Sequence, residues 1–291
     1  MKITVAGATG NIGSAAAQAL LEAGHSVRVM VRQPAKVEAL VRQGAEAVVG
    51  DLEDADFVRR ATAGAEGLFW LTPPQLAAPD VVAWQNQITA HAAAAIQANG
   101  VPRVVNVSAI GAHRPNARGF VRQFPVVEQA LSLPGTATLH LRPGWFMENL
   151  LAQAGSIKDH GKLFVAVGTE FALPLISTVD IGRYAAQALT APKAATGVVH
   201  LIGPEILNGP EIAAGLSQVT GRQLEWVAVP PAALGDLFRG FGASEDAIRL
   251  YIALFEDFNR TDGVYALPLP EAVRTPTTLE QFARQSLLPL L

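Results

Sequence analysis

The chemistry this chain can do is most visible in its first fifty residues. Gly7-Ala8-Thr9-Gly10-Asn11-Ile12-Gly13 follows the apolar run Ile3-Thr4-Val5-Ala6 and leads into Ser14-Ala15-Ala16-Ala17-Gln18-Ala19-Leu20-Leu21, a composition that favours helix. A glycine-rich turn between a strand and a helix exposes backbone N–H groups at the helix N-terminus. There the unpaired donors and the positive end of the helix dipole suit a diphosphate. Gly7 permits the turn, Gly10 the approach of phosphate to backbone, and Gly13 the close packing of helix on strand. Thr9, Asn11 and Ile12 complete the cradle. The spacing is Gly-x-x-Gly-x-x-Gly, and an ordinary glycine-rich turn is the competing reading.

What stands at the end of the next strand selects the dinucleotide. A site that prefers NAD places Asp or Glu about 20 residues beyond the glycines, where it accepts from the ribose hydroxyls. Here Ser26-Val27-Arg28-Val29-Met30-Val31 alternates as a strand and is followed by Arg32-Gln33-Pro34-Ala35-Lys36, with no carboxylate. Arg32 and Lys36 offer positive charge for a 2′-phosphate, so NADP(H) is expected over NAD(H). Further on, Gly50-Asp51-Leu52 follows the third strand. Asp51 suits the exocyclic amine of an adenine and Leu52 its ring. Alternatively, Asp51 or Asp54 caps the next helix.

The elements that must position these residues alternate. Val37 to Gln43 reads as a helix, Ala45 to Val49 as a strand, and Gly67-Leu68-Phe69-Trp70-Leu71 as a buried parallel strand. That strand stops at Thr72-Pro73-Pro74. Loops at the carboxyl ends of parallel strands form the ligand crevice, so Thr72 and Pro73 are expected to line the cofactor. Pro79 to Asn99 has helical spacing, Arg103 to Ser108 is a fifth strand and Ala137 to Arg142 a sixth. This pattern predicts an α/β fold, a Rossmann-type doubly wound parallel sheet over residues 1–150. From Leu151 the alternation fails. Residues 151–291 are expected to form a smaller substrate or partner lobe, with 173–202 returning to the main sheet. Within it, Gly161 to Gly168 reads as a hairpin strand, Asp180 as a helix cap and Asn208-Gly209-Pro210-Glu211 as a helix start.

Composition removes other classes of function. Net charge is −3 with no basic stripe, which argues against nucleic acid as a partner. The absence of cysteine excludes disulfides, thiolate metal sites and cysteine nucleophiles, and no metal is expected. There is no Gly-x-Ser-x-Gly elbow, Walker lysine motif or His-Glu-x-x-His. No apolar run has transmembrane length and the N-terminus leads straight into the first strand, so a cytoplasmic protein without a membrane partner is expected.

Several separated stretches match one family together: Gly7 to Gly13, Val31-Arg32 with Lys36, Gly50-Asp51, Glu128, and above all Leu141-Arg142-Pro143-Gly144-Trp145-Phe146-Met147-Glu148-Asn149. Thr178-Val179-Asp180-Ile181-Gly182 and Arg274-Thr275-Pro276-Thr277-Thr278-Leu279-Glu280-Gln281-Phe282 extend the match to nearly the whole chain. The chain resembles the NmrA-like group of atypical short-chain dehydrogenases, particularly its bacterial NAD(P)H:quinone oxidoreductase-like members. The resemblance implies an NADP(H)-binding protein, either a reductase of a small molecule or a redox sensor acting on a protein partner.

Two departures matter. None of Tyr184, Tyr251 and Tyr265 is followed four residues later by Lys, so the usual Tyr-Lys proton-transfer dyad is missing. Many relatives keep a Lys four residues before the Glu equivalent to Glu128; here that position is Phe124, at a helix entry marked by Pro125. Hydride transfer to a quinone or conjugated carbonyl needs neither, because the nicotinamide carries the chemistry and the protein positions the acceptor. Ser108, His113 and Arg122 border the expected nicotinamide loop and could donate to an oxygen, with Ser108 and His113 the catalytic candidates. Trp145 and Phe146 offer an aromatic wall for a flat ligand.

Overall fold

A computed structural model describes residues 1–291. Strand β1 (Lys2–Val5) enters the Gly7 turn and α1 (Asn11–Glu22) leaves it. There follow β2 (Ser26–Val31), a 3-10 turn at Pro34–Val37, α2 (Glu38–Arg42), β3 (Glu46–Val49), α3 (Ala55–Ala61), β4 (Gly67–Leu71), α4 (Val81–Asn99) and β5 (Arg103–Val107). Asp54 and Asp80 cap α3 and α4, accepting from the N–H groups of Phe57 and Ala83. Then come α5 (Phe124–Leu131), β6 (Ala137–Pro143), the short β7 (Trp145–Phe146), α6 (Ala154–His160), β8 (Lys162–Val165), β9 (Ala172–Ile176) and α7 (Thr178–Thr190). The chain finishes with β10 (Gly197–Ile202), β11 (Ile206–Asn208), α8 (Gly209–Thr220), β12 (Glu225–Ala228), α9 (Leu234–Gly240), α10 (Glu245–Phe258), β13 (Ala272–Arg274) and α11 (Leu279–Phe282).

Eight strands form one sheet in the order β13-β10-β6-β5-β4-β1-β2-β3, and every neighbouring pair is parallel. The fold is the expected Rossmann-type α/β architecture. The order reverses at β1, which lies between β2 and β4, and such a switch point opens the crevice in which doubly wound sheets bind ligands. Parallel strands covered on both faces must be apolar throughout. Accordingly Leu68, Phe69 and Trp70 of β4 are fully buried, and the Trp70 indole N–H is satisfied by the Thr72 hydroxyl at 2.8 Å.

The division at residue 150 is corrected by the topology. β10 and β13 belong to the main sheet, and α7 lies directly against α1 on its outer face. Of the 173–202 stretch, only β10 joins that sheet. β9 pairs instead with β7 and β11 in a separate three-stranded sheet. Nor is Gly161–Gly168 part of a hairpin: β8 pairs in parallel with β12, some sixty residues away, so its partner is set by tertiary packing and not by a local turn. Asp180 does not cap α7. Ser177 is the cap, and Asp180 is buried in the first turn, accepting from the Thr277 N–H at 3.0 Å and the Thr277 hydroxyl at 2.9 Å. At α8, Asn208 and Glu211 form a reciprocal capping box, as the local sequence implies. No helix is long and apolar enough to cross a membrane.

Two glycines make the close approaches possible. A Cβ on Gly13 would fall on the Gly7 carbonyl, and a Cβ on Gly182 of α7 would lie 2.6 Å from the Ile12 carbonyl oxygen and 2.7 Å from the Ala15 side chain. These neighbours cannot easily yield, since they are backbone of the glycine turn or belong to the N-terminal half of α1. Gly182→Ala is expected to destabilise the protein by about 1–3 kcal/mol through this overpacking, measured as a shift in the denaturation midpoint; an unchanged midpoint would contradict the packing described.

Candidate active site

The site is an elongated crevice along the carboxyl ends of the central strands. At one end, Gly7 adopts φ +72°, the Gly10 N–H donates to the Gly7 carbonyl at 3.0 Å, and Gly10 stands at the N-cap of α1 with no side chain capping it. The first N–H groups of α1 are therefore left for a ligand. Beside them a cleft is walled by Gly7, Thr9, Arg32, Asp51, Leu52 and Pro73, with Met30, Phe57 and Trp84 deeper in its lining. Ile12 is buried beneath the turn. Gly50 lies so close to the Phe57 ring that a side chain there would fill it. Arg32 is 67% exposed, and its one ion pair is a loose 4.0 Å contact with Asp51, so the guanidinium is free to turn onto a phosphate. Lys36 is exposed on the 3-10 turn and does not line this cleft. The donor set, with open backbone amides at the start of α1 and an arginine beside them, fits a dinucleotide.

Pro74 belongs both to this cleft and to a second cavity of about 310 Å³ at the other end. The second cavity is roofed by α10, whose Tyr251, Leu254, Phe255 and Phe258 stand at helical spacing, and by Tyr265 beyond it. Its floor carries Thr72, Ser108, Phe124, Trp145 and Phe146. The aromatic rings are locked together. Tyr251 stacks on Phe238 at 4.2 Å, and Phe258 on Tyr265 at 4.8 Å. Such a lining suits a flat conjugated molecule. Trp145 is held on β7, buried with Met147, Leu173 and Leu175 and lining the cavity.

Behind Ser108 lies a buried network. Arg142 on β6 grips Glu128 on α5 in a bidentate pair, Nε to Oε1 at 2.8 Å and Nη2 to Oε2 at 2.6 Å. The Ser108 hydroxyl donates to Glu128 Oε1 at 2.5 Å. Burial pushes the Glu128 carboxyl up, but the hydrogen bonds from Arg142 and Ser108 and the charge of Arg142 outweigh it and hold the group below its ordinary range. Because Glu128 stays ionised, the single Ser108 hydrogen is spent on it. In this arrangement the Ser108 hydrogen is not directed at the cavity, and the lone pairs of the hydroxyl oxygen are left on that side. His140, on β6 beside Arg142, links the strand to the end of α5. Its Nδ1 lies 3.2 Å from the Asn106 amide nitrogen, so that ring atom accepts and Nε2–H donates to the Ser132 hydroxyl at 3.0 Å.

His113 and Arg122 are not brought into the cavity. His113 is exposed beside the edge of His200, with ring centroids 5.5 Å apart. Desolvation, then the charges of Arg142 and Arg114, lower its pKa from the ordinary value. His200 is shifted the same way, to about 4, by burial and by Arg142. Arg122 points to solvent from the 3-10 turn Gly119–Gln123, while Phe120 and Val121 of the same turn face inward. The residues that sequence reasoning left without roles are Arg142, Gln85 and the α10 aromatics. Only the last left a local signal, their helical stripe.

Glu128→Gln leaves the Arg142 charge buried without a counter-ion and is expected to destabilise the protein by about 3 kcal/mol at neutral pH. Glu128 has a lower pKa folded than unfolded, so its contribution is fully present above its unfolded value of 4.5 and is lost as pH falls through the folded value. The difference between wild type and variant, followed by urea denaturation, should therefore shrink on acidification. A difference independent of pH would contradict the ion pair.

Comparison with known proteins agrees with this geometry. A model of the NmrA-like family matches residues 1–283. An NAD(P)H azoreductase of Xenophilus azovorans is 32% identical over 243 residues, 84% of this chain and 82% of the relative. Quinone oxidoreductase 2 of Escherichia coli (strain K12) is 26% identical over 228 residues, 77% of this chain and 76% of the relative. Among solved structures, the triphenylmethane reductase of Citrobacter sp. complexed with NADP(H) superposes with a TM-score of 0.80 at 18% identity, covering 98% of this chain and 100% of the other. An NADPH-dependent quinone oxidoreductase from Escherichia coli complexed with NADPH gives 0.76 at 23% identity, covering 97% and 98%. These two likenesses speak for the fold; the family match and the azoreductase identity speak for descent. The chain belongs to the NmrA-like family.

Proposed function

We propose that this protein is an NADPH-dependent reductase of small, planar, conjugated acceptors, quinones and azo compounds among them. The observation that carries the reading is the shared wall: a cleft suited to a dinucleotide and an aromatic cavity of a size for one flat ring system lie against each other at Pro74. Relatives named azoreductase and quinone oxidoreductase support it.

In this reading the N–H groups of Asn11, Ile12 and Gly13 hold the diphosphate, and Thr9 lines its path. Asp51 and Leu52 bound the adenine, Arg32 takes the 2′-phosphate with Lys36 adding field from the rim, and Thr72, Pro73, Ser108 and Trp145 border the nicotinamide end. NADPH, when bound, supplies a hydride; an acceptor C=O or N=N takes that hydride and one proton from water and is reduced by two electrons. The protein's own part is binding, orientation and exclusion of bulk water. Ser108, fixed by Glu128, accepts from a ribose hydroxyl or carboxamide N–H and so sets the face presented to the acceptor. No Tyr-Lys dyad is required, because quinone and azo acceptors are already activated. The roofed cavity favours this reading over a sensor acting through a protein partner.

Steady-state oxidation of NADPH in the presence of 2-methyl-1,4-naphthoquinone and of a neutral azo dye is expected to show turnover. Tight NADPH binding with no turnover on either acceptor would leave the sensor. Arg32→Ala is expected to weaken NADPH by roughly tenfold or more and NADH by little, as read from the two dissociation constants; equal losses would refute the assignment of Arg32 to the 2′-phosphate.

A further inference from the structure

The wall of the acceptor cavity holds no charged side chain. Its side-chain amides and hydroxyls come from Thr72, Gln85, Ser108, Asn149, Tyr251 and Tyr265. Two of these are already committed: the Thr72 oxygen accepts from the Trp70 indole, and the Ser108 hydroxyl donates to Glu128. Gln85 is different. It sits on α4, on the helix face that carries Ile88, Ala92 and Ile96 into the core. It is 3% exposed, lines the cavity, and its Oε1 has no hydrogen-bond partner. Its backbone carbonyl is satisfied by the Thr89 hydroxyl at 2.7 Å, so the unmet group is the side chain alone.

A buried amide without a partner weakens a fold, and leucine or methionine would fill the same space without that cost. A polar group kept in such a place and aimed into a cavity has a ligand as its natural partner. We propose that Gln85 binds the electron acceptor through its side-chain amide, and that the cavity selects neutral planar acceptors over anionic ones. This deepens the reductase reading and rests on it for the class of ligand.

The chemistry of the amide suits an acceptor that changes its hydrogen bonding during reduction. Turning about the last side-chain bond presents either N–H donors, to a quinone oxygen or azo nitrogen, or a carbonyl oxygen, to the O–H or N–H of the product. One residue therefore holds both the oxidised and the reduced molecule. The charge selection has a separate cause. An acceptor bearing a sulfonate would bury an anion with nothing to pair it, because no charged side chain lines the cavity, Arg142 behind its wall is closed bidentately on Glu128 and Arg122 beside it is turned to solvent. Phe124 occupies the wall at the position where the resemblance leads one to look for lysine.

The test compares wild type, Gln85→Leu and Gln85→Met in the presence of NADP+, titrated with 2-methyl-1,4-naphthoquinone and with its ring-sulfonated analogue. Binding is followed by isothermal titration calorimetry, and folding through the melting temperature. Wild type should bind the neutral quinone at least tenfold more tightly than the sulfonate. Both variants should bind the neutral quinone roughly tenfold more weakly than wild type while melting at the same or a higher temperature and binding NADPH unchanged. The proposal is overturned if either folded variant binds the quinone as tightly as wild type, if the sulfonate binds equally well, or if wild type binds neither. Quinone binding without turnover would sink the reductase reading alone, since the comparison of the Gln85 variants is read from binding.

Discussion

Everything in this molecule depends on how closely three backbones meet at the first turn of α1. Gly13 lets the helix lie against the Gly7 carbonyl from below, and Gly182 lets α7 close on Ile12 from outside. Between them the open N–H groups at the start of α1 are held at a fixed place and angle, with Gly7 in a left-handed conformation that a larger residue resists. A helix N-terminus binds anions only if its donors stay aimed at one point. Here the aim is set by packing, because no capping side chain competes for the donors. The consequence reaches along the crevice, because these donors then stand at a fixed distance from the aromatic cavity.

The two ends of the crevice differ in electrostatic character. At the glycine-turn end an exposed arginine, Arg32, makes only a 4.0 Å contact with Asp51. At the acceptor end every strong charge is paired behind the wall. Arg142 and Glu128 satisfy each other, and burial together with Arg142 keeps His200 neutral. Such a pair adds little net stability compared with well-packed apolar residues, but it defines one arrangement of Ser108 and bolts α5 to β6. The acceptor cavity thus combines a low-dielectric wall with a few polar atoms of fixed direction.

The residues legible in the sequence are those whose role follows from near neighbours. The Gly7–Gly13 turn, Arg32 after β2, the Pro73-Pro74 exit of β4 and the Asn208–Glu211 capping box each announce themselves within a few residues. What was not legible depends on partners far along the chain. β8 looks like half a hairpin until its parallel partner β12 is seen, and β9 resembles another strand of the main sheet although its hydrogen bonds go to β7 and β11. Ser108 reads as a donor at the end of a strand, and only the position of Glu128, twenty residues on, turns it into an acceptor. Gln85 is a single polar residue on an apolar helical face, and nothing local separates a satisfied core amide from one pointed into a cavity.

The parallel sheet imposes an order of events on synthesis. Its two outer strands on one side, β10 and β13, come from the last third of the chain, and the helix that covers α1 ends only at Thr190. A nascent chain emerging from the ribosome therefore carries the glycine turn long before the surface that presses it into shape exists. Until then the apolar flank of α1, with Ala16 and Leu20, stands uncovered. The glycine turn is thus among the first segments made, while the packing that fixes its geometry is completed only when the distant α7 has docked.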